Sequence, residues 1–228
     1  MAKSEERASR RVDVVRVRSA PFDVNVWVAL EEGRALVVDA SSGMDWSALE
    51  PKLRAAVGAA RPQAFHLTHL HVDHVGGAAR VSRLLGLVPT IHADEADVVE
   101  EGNEVATGAA FFGGSAEPCP VTRVKEGDSI ELGRHRFEVL LVPGHSPAHT
   151  ALWEPESRAL FCGDVAFAGG AFGRVDLPGC DPRALLRSLE RLAALDARDM
   201  YPGHMEPVLG NAREALLESL DNARLMLL

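Results

Sequence analysis

Within six residues the chain carries His69-Leu70-His71-Val72-Asp73-His74, three imidazoles and a carboxylate. The segment follows a stretch that reads as a strand, AFHLT, so His69 and His71 can point to one side of extended backbone. Asp73 and His74 fall in the turn into the next helix and arrive from a second direction. Two metal ions about 3.5–4 Å apart need donors from two directions in this way. Imidazole and carboxylate together suit zinc, iron or manganese. The plain alternative is a structural or pH-responsive group of histidines.

Three further motifs weigh against that alternative. They are Pro143-Gly144-His145-Ser146-Pro147-Ala148-His149, then Cys162-Gly163-Asp164, then Tyr201-Pro202-Gly203-His204. Each sets a ligand-type residue next to glycine, where the backbone can turn sharply. Each also stands at the end of a predicted strand. One such motif is an ordinary loop; four in order form a pattern.

The order HxHxDH, PGH, GD, PGH resembles that of the metallo-β-lactamase superfamily, closest to glyoxalase II-like small metal-dependent hydrolases. The resemblance runs from Asp39 to the last helix. It implies two divalent metal ions, with zinc favoured over iron or manganese. One would be held by His69, His71 and His145, the other by Asp73, His74 and His204, with Asp164 bridging both. A carboxylate has two oxygens and can span two cations. Seven such donors leave room for a bridging water whose pKa falls towards neutrality. Asp73 is the expected catalytic residue, orienting the resulting hydroxide.

Other residues are read around this set. Asp39, at a strand end where the family has an aspartate, is expected to support a ligand rather than be one. His149 matches the second histidine of the family's GHTxGH pattern and takes the same reading; Ser146 and Ala148 replace that pattern's Thr and Gly. Arg174, in the loop Phe172–Gly179, either pairs with a substrate carboxylate or holds its loop to Asp176. Cys162 lies two residues before Asp164 and would share its face on an extended strand. It is expected to be a small core residue rather than a thiolate ligand. Phe111, Phe112 and Phe172 are candidates for the pocket wall. His66, His92 and His135 match no motif.

The elements that position these residues follow from periodicity. VDVVRVR alternates, and FDVNVWVAL, the turn EEGR and ALVVDA read as a hairpin ending at Asp39. A helix is expected from Trp46 to Ala60, with Pro51 tolerated near its start. The strand AFHLTH, a helical stretch from His74 to Leu87, the strand VPTIHA and a helix from Asp94 to Glu101 come next. Residues 102–120 read as a loop or flap. The second half repeats the order: VTRV and SIELGRHRFEVLLV, the hairpin TALWEP and ALFCGDVAF, a helix from Pro182 to Leu195, the strand DMYPGH, and a helix from Asn211 to Leu228. Two αβ halves packed sheet to sheet with helices outside give an α/β (α+β) four-layer αββα sandwich, expected as a single domain over residues 1–228.

Bulk properties agree. The chain has 228 residues, is 46% hydrophobic and 25% charged, and carries a net charge of −9. An acidic chain repels nucleic-acid phosphates, and the basic residues Arg7, Arg10, Arg11, Arg16 and Arg18 read as a solvated edge. No apolar run approaches the roughly 18 residues of a membrane span. Three cysteines and a charged N-terminus lead to the expectation of a reduced, cytoplasmic protein, monomer or homodimer, acting on a small molecule.

These readings converge on a metal-dependent hydrolase that uses a metal-bridging hydroxide to cleave a thioester, lactone or similar acyl ester. The alternative carried forward is a mononuclear iron persulfide dioxygenase-like enzyme using His69, His145 and Asp164. A true β-lactamase is disfavoured by Asp164, a nuclease by charge, and a catalytically silent binding module by the retention of all seven donors.

Overall fold

The computed structural model describes residues 11–20, 23–112 and 114–227. Arg7, Arg10 and Leu228 lie outside them. Two six-stranded sheets face each other. In the first, β1 (Asp13–Val17), β2 (Val26–Glu31), β3 (Arg34–Val38), β4 (Arg61–His66), β5 (Thr90–His92) and β6 (Thr122–Val124) follow sequence order. β1, β2 and β3 pair antiparallel, and β3 through β6 pair parallel. The second sheet runs β12-β11-β10-β9-β8-β7, with β7 (Ser129–Leu132), β8 (His135–Leu141), β9 (Thr150–Glu154), β10 (Ala159–Gly163), β11 (Asp199–Pro202) and β12 (Val208–Leu209). Only β10 and β11 pair parallel there.

Period-two alternation divides each strand between two cores. Trp27, Ala29, Leu36 and Val38 meet Phe137, Val139, Leu152 and Phe161 between the sheets. Val26, Val28, Ala35 and Val37 turn outward. They pack beneath α1 (Trp46–Val57), α3 (Ala78–Leu85) and α4 (Ala93–Glu101), through residues such as Leu53, Val81 and Val99. On the far side Leu140, Leu160, Cys162 and Met200 pack beneath α6 (Pro182–Ala193) and α7 (Ala212–Leu227). Strands apolar on both faces are what a sheet covered on both sides demands. The result is the expected four-layer sandwich.

Several expected boundaries move. α1 passes through Pro51 and stops at Val57, because Gly58 takes a positive φ (57°) that leaves the helix and that glycine adopts without a Cβ clash. The expected helix from His74 to Leu87 is two: α2 (Val72–Val75) and α3, separated by Gly76 and Gly77. Residues 102–120 are mostly irregular but include one helical turn, α5 (Ala109–Phe112). The two-residue β12 carried no periodic signal.

His66, which matches no sequence motif, ties the sheets together. Its fully buried ring lies between Thr90 Oγ1 (2.9 Å) on the first sheet and Thr150 Oγ1 (3.0 Å) on the second. Burial drives its pKa down to about 3, so the link is a neutral imidazole. His135, also without a motif, is buried between Glu31 and Glu154. His92 caps α4 by accepting the Asp94 N–H. Of the described N-terminal arginines, Arg11 pairs with Asp199 and Arg16 with Glu206.

Candidate metal centre

Five strands, β3, β4, β8, β10 and β11, end at one rim of the sandwich, and each hands its following residues to the same place. Open sheets commonly bind ligands beyond the carboxyl ends of their strands. After β4, Thr68 donates its N–H (2.8 Å) and hydroxyl (3.0 Å) to the Asp39 carboxylate that follows β3. His69 and His71 come next, and the turn of α2 then raises Asp73 and His74. Val72 N–H is held by Thr107 C=O at 2.8 Å. The β8 loop brings in His145, β10 ends in Asp164, and β11 leads to His204.

Two glycines make the convergence possible. Gly163 (φ 48) turns the chain at the end of β10, and the register with β11 shifts there. That rotation corrects the expectation that Cys162 and Asp164 share a face. Cys162 points into the core beneath α6 and α7, where its thiol donates to Ala166 C=O at 3.3 Å, while Asp164 points into the rim. Gly203 lies so close to Asp164 that a Cβ there would stand 2.1 Å from Oδ1.

The donors form two groups that meet at Asp164. In the first, His71 Nδ1 lies 3.0 Å from His69 Nε2 and 2.9 Å from His145 Nε2. In the second, His204 Nε2 lies 3.1 Å from Asp73 Oδ2, and His74 Nε2 lies 3.8 Å from the same oxygen. Asp164 faces both: Oδ2 is 3.6 Å from His145 Nε2 and 3.3 Å from His204 Nε2, and Oδ1 is 3.3 Å from His74 Nε2.

The constellation fits cations on three grounds. Three ring nitrogens meet at hydrogen-bond distance, more than one shared proton can satisfy, whereas a cation accepts all three lone pairs. His74 Nε2 and Asp164 Oδ1 are buried and face each other without hydrogen-bond geometry. Finally, the ring nitrogens behind the cluster are occupied. His145 Nδ1–H donates to Arg174 C=O (2.8 Å), His74 Nδ1–H to Asp39 (2.9 Å), and His69 Nδ1 meets the Thr68 hydroxyl (3.0 Å). Acceptors behind an imidazole leave its other nitrogen free as a ligand.

Electrostatics separates the two groups. Burial, then the neighbouring imidazoles, pushes His69 well below its ordinary value; burial and His145 bring His71 down to about 4. His69 and His71 are thus neutral and rich in lone pairs. In the second group burial opposes charge, but the carboxylates prevail. His74 rises well above its ordinary value beside Asp164, Asp39 and Asp73, and His204 rises to about 9 through its bonds to Asp164 and Asp73. Asp164 falls well below the usual range despite its burial, because His74 and His204 flank it.

Around the donors, His149 stacks on His69 with centroids 4.6 Å apart, and its Nε2 accepts the Asp164 N–H at 3.0 Å. Arg174 pairs its guanidinium with both Asp176 oxygens, at 2.7 and 2.8 Å. Phe111, Phe112 and Phe172 line a cavity of about 900 Å³ that opens over the donors.

One supporting residue has no motif. Glu95, on α4, is buried; its Oε1 accepts the Ser146 hydroxyl (2.6 Å) and the Ala148 N–H (2.9 Å). It fixes the loop that carries His145 and His149. Burial pushes its carboxyl up to about 7, against those bonds and the Leu70 amide. The only sequence signal was an acidic residue on the apolar side of a short helix.

Comparison with known proteins follows the same lines. A family model described as the metallo-beta-lactamase superfamily matches residues 20–204. An uncharacterised protein of Aquifex aeolicus (strain VF5) is 34% identical over 75% of this chain and 79% of its own length. A hydroxyacylglutathione hydrolase of Ectopseudomonas mendocina (strain ymp) is 38% identical over 65% of this chain, and the match spans only 49% of that enzyme. The chain thus spans about half the length of that relative. Among solved structures, TTHA1623 in a di-iron-bound form is 32% identical with a TM-score of 0.72, over 91% of this chain and 96% of that one. A B3 metallo-beta-lactamase, BLEG-1, is 25% identical with a TM-score of 0.75, over 92% and 97%.

Proposed function

The chain belongs to the metallo-beta-lactamase superfamily, and from that premise we propose that it is a binuclear metallohydrolase cleaving a thioester or related acyl ester. The observation that carries this reading is Asp164, a buried carboxylate with one oxygen towards His74 and the other towards His145 and His204. Its two oxygens suit two cations, one among His69, His71 and His145 and one among Asp73, His74 and His204. Divalent ions held there lower the pKa of water and polarise the scissile carbonyl.

The chain's own residues supply the rest. Asp39, Thr68 and the Arg174 carbonyl orient three imidazoles towards the donor groups. Asp73 is partly exposed at the cavity floor, within reach of a proton on a water or leaving group. The apolar wall excludes water from the acyl group. Two separate donor groups, both complete, favour this reading over single-iron oxygen chemistry. The named hydrolase relatives favour it too.

The test is elemental analysis of protein purified without chelator or added metal, paired with an assay on thioesters and esters. Two metals per chain and chelator-sensitive acyl hydrolysis are the expected result. A single iron with oxygen consumption on a persulfide, and no acyl hydrolysis, would overturn it.

A further inference from the structure

Resting on the hydrolase reading, we infer that the substrate presents an uncharged apolar acyl chain to this cavity, and not a charged glutathione-type carrier. The first observation is the wall. Met44, Val105, Phe111, Phe112, Phe172 and Leu177 line the cavity above the donors. Four of them stand open at the mouth: Phe111 is 70% exposed, Phe112 58%, and Val105 and Met44 each 67%. A cluster of large apolar side chains left in water around one opening marks a binding surface.

The second observation is charge. Beyond the metal-donor residues, the charged groups lining the cavity among the described residues are Asp23, Asp45 and Arg174. Asp23 accepts the hydroxyls of Ser19 and Ser41, and Asp45 caps α1. Arg174 is held by both oxygens of Asp176. A glutathione moiety carries two carboxylates and one ammonium, a net negative charge, and its two carboxylates would find only one guanidinium among the described lining residues, already paired, beside two carboxylates. An aliphatic or aromatic acyl group meets no such opposition and buries its surface against the phenylalanines. The cavity, about 900 Å³, accommodates a chain of eight or more carbons with its carbonyl at the donors.

The attachment of the wall is the third observation. Residues 103–112 form a compact turn in which Thr107 N–H donates to Asn103 C=O (3.0 Å) and Phe111 N–H to Gly108 C=O (3.0 Å). Thr107 C=O in turn accepts from Val72, next to Asp73 (2.8 Å). The phenylalanines are therefore registered against the donors. That is what a chain-length ruler requires.

The experiment compares metal-loaded protein on S-acyl-N-acetylcysteamine thioesters from acetyl to dodecanoyl, with S-lactoylglutathione in parallel. Each buried methylene is worth about fourfold, so if about half of the six methylenes that separate octanoyl from acetyl are buried, kcat/KM should rise on the order of 100-fold and exceed that for S-lactoylglutathione. Phe111→Ala with Phe112→Ala should cut the octanoyl-to-acetyl ratio at least about tenfold. Binding of the matching alkyl thioethers, which cannot be hydrolysed, is measured by calorimetry on the same protein. Affinity rising with chain length while no thioester is turned over would support the pocket assignment and remove the hydrolase reading. Turnover with a flat chain-length profile, or a preference for S-lactoylglutathione, would overturn the pocket assignment and leave the hydrolase reading standing.

Discussion

Asp39 stands directly behind His74, its Oδ2 2.9 Å from Nδ1, while its other oxygen takes the Thr68 N–H at 2.8 Å. One carboxylate therefore fixes both the ring orientation of His74 and the start of the His69–His74 segment. Partners of this kind are worth about 10–100-fold in metal affinity. Asp39→Ala should lower the affinity of the Asp73, His74 and His204 group by that factor and weaken the other group less, through Thr68 and His69. Competition titration with a chromophoric chelator separates the two. Equal loss at both groups would show that Asp39 acts on the whole rim.

Asp164→Ala should cost both metals and reduce acyl hydrolysis by more than about 1000-fold, because it removes the group that faces both donor sets. A variant that retains two metals and normal turnover would sink the shared-ligand assignment. Cys162→Ser is the control. Its side chain faces the core beneath α6 and α7, so metal content should stay at the wild-type value, with a stability loss of about 1 kcal/mol.

How far the sequence spoke depends on the residue. The four motifs were legible because metal donors must be of a few chemical types, and strand ends next to glycine are where such donors gather. The layer order was legible because strands apolar on both faces must be covered twice. Glu95 was not: its function depends on α4 packing against the Ser146–Ala148 loop, a long-range contact that leaves no local pattern. His66 was opaque for the same reason, since its two threonine partners come from different sheets. The facing of Cys162 is not legible in the sequence because one positive φ at Gly163 breaks the alternation.

Glu95 gives a pH prediction with a definite sign. Its folded pKa is raised to about 7 from 4.5. Between those values the folded state holds more protons than the unfolded state. The associated stability is full below about pH 4.5 and is lost as pH rises through about 7, a difference of about 3 kcal/mol. Glu95→Gln mimics the protonated form and keeps an acceptor for Ser146 and Ala148. Urea melts at pH 5 and pH 8 should show the variant gaining on the wild type at the higher pH only. Glu95→Ala, which strands a buried hydroxyl and N–H, should be destabilised at both by about 2 kcal/mol.

Arg174 touches the site in two ways that mutation separates. Its guanidinium pairs with Asp176 at the surface, whereas its backbone carbonyl holds His145. Arg174→Ala keeps the carbonyl and removes an exposed pair worth at most about 1 kcal/mol. Metal content should not change, and kcat/KM on uncharged thioesters should stay within about threefold. A loss greater than about 30-fold confined to KM would return the guanidinium to substrate recognition.

The order of the donors along the chain has a consequence for biosynthesis. His69, His71, Asp73 and His74 leave the ribosome together, but Asp164 and His204 follow only when most of the second sheet has been made. A nascent chain thus offers a cluster of imidazoles without the carboxylate that joins the two groups. Such an open cluster binds first-row cations in the intrinsic order of their affinities rather than by the shape of a finished pocket. Selection of a metal therefore belongs to the folded protein, in which the donors lie beneath a cavity lined by Phe111, Phe112 and Met44.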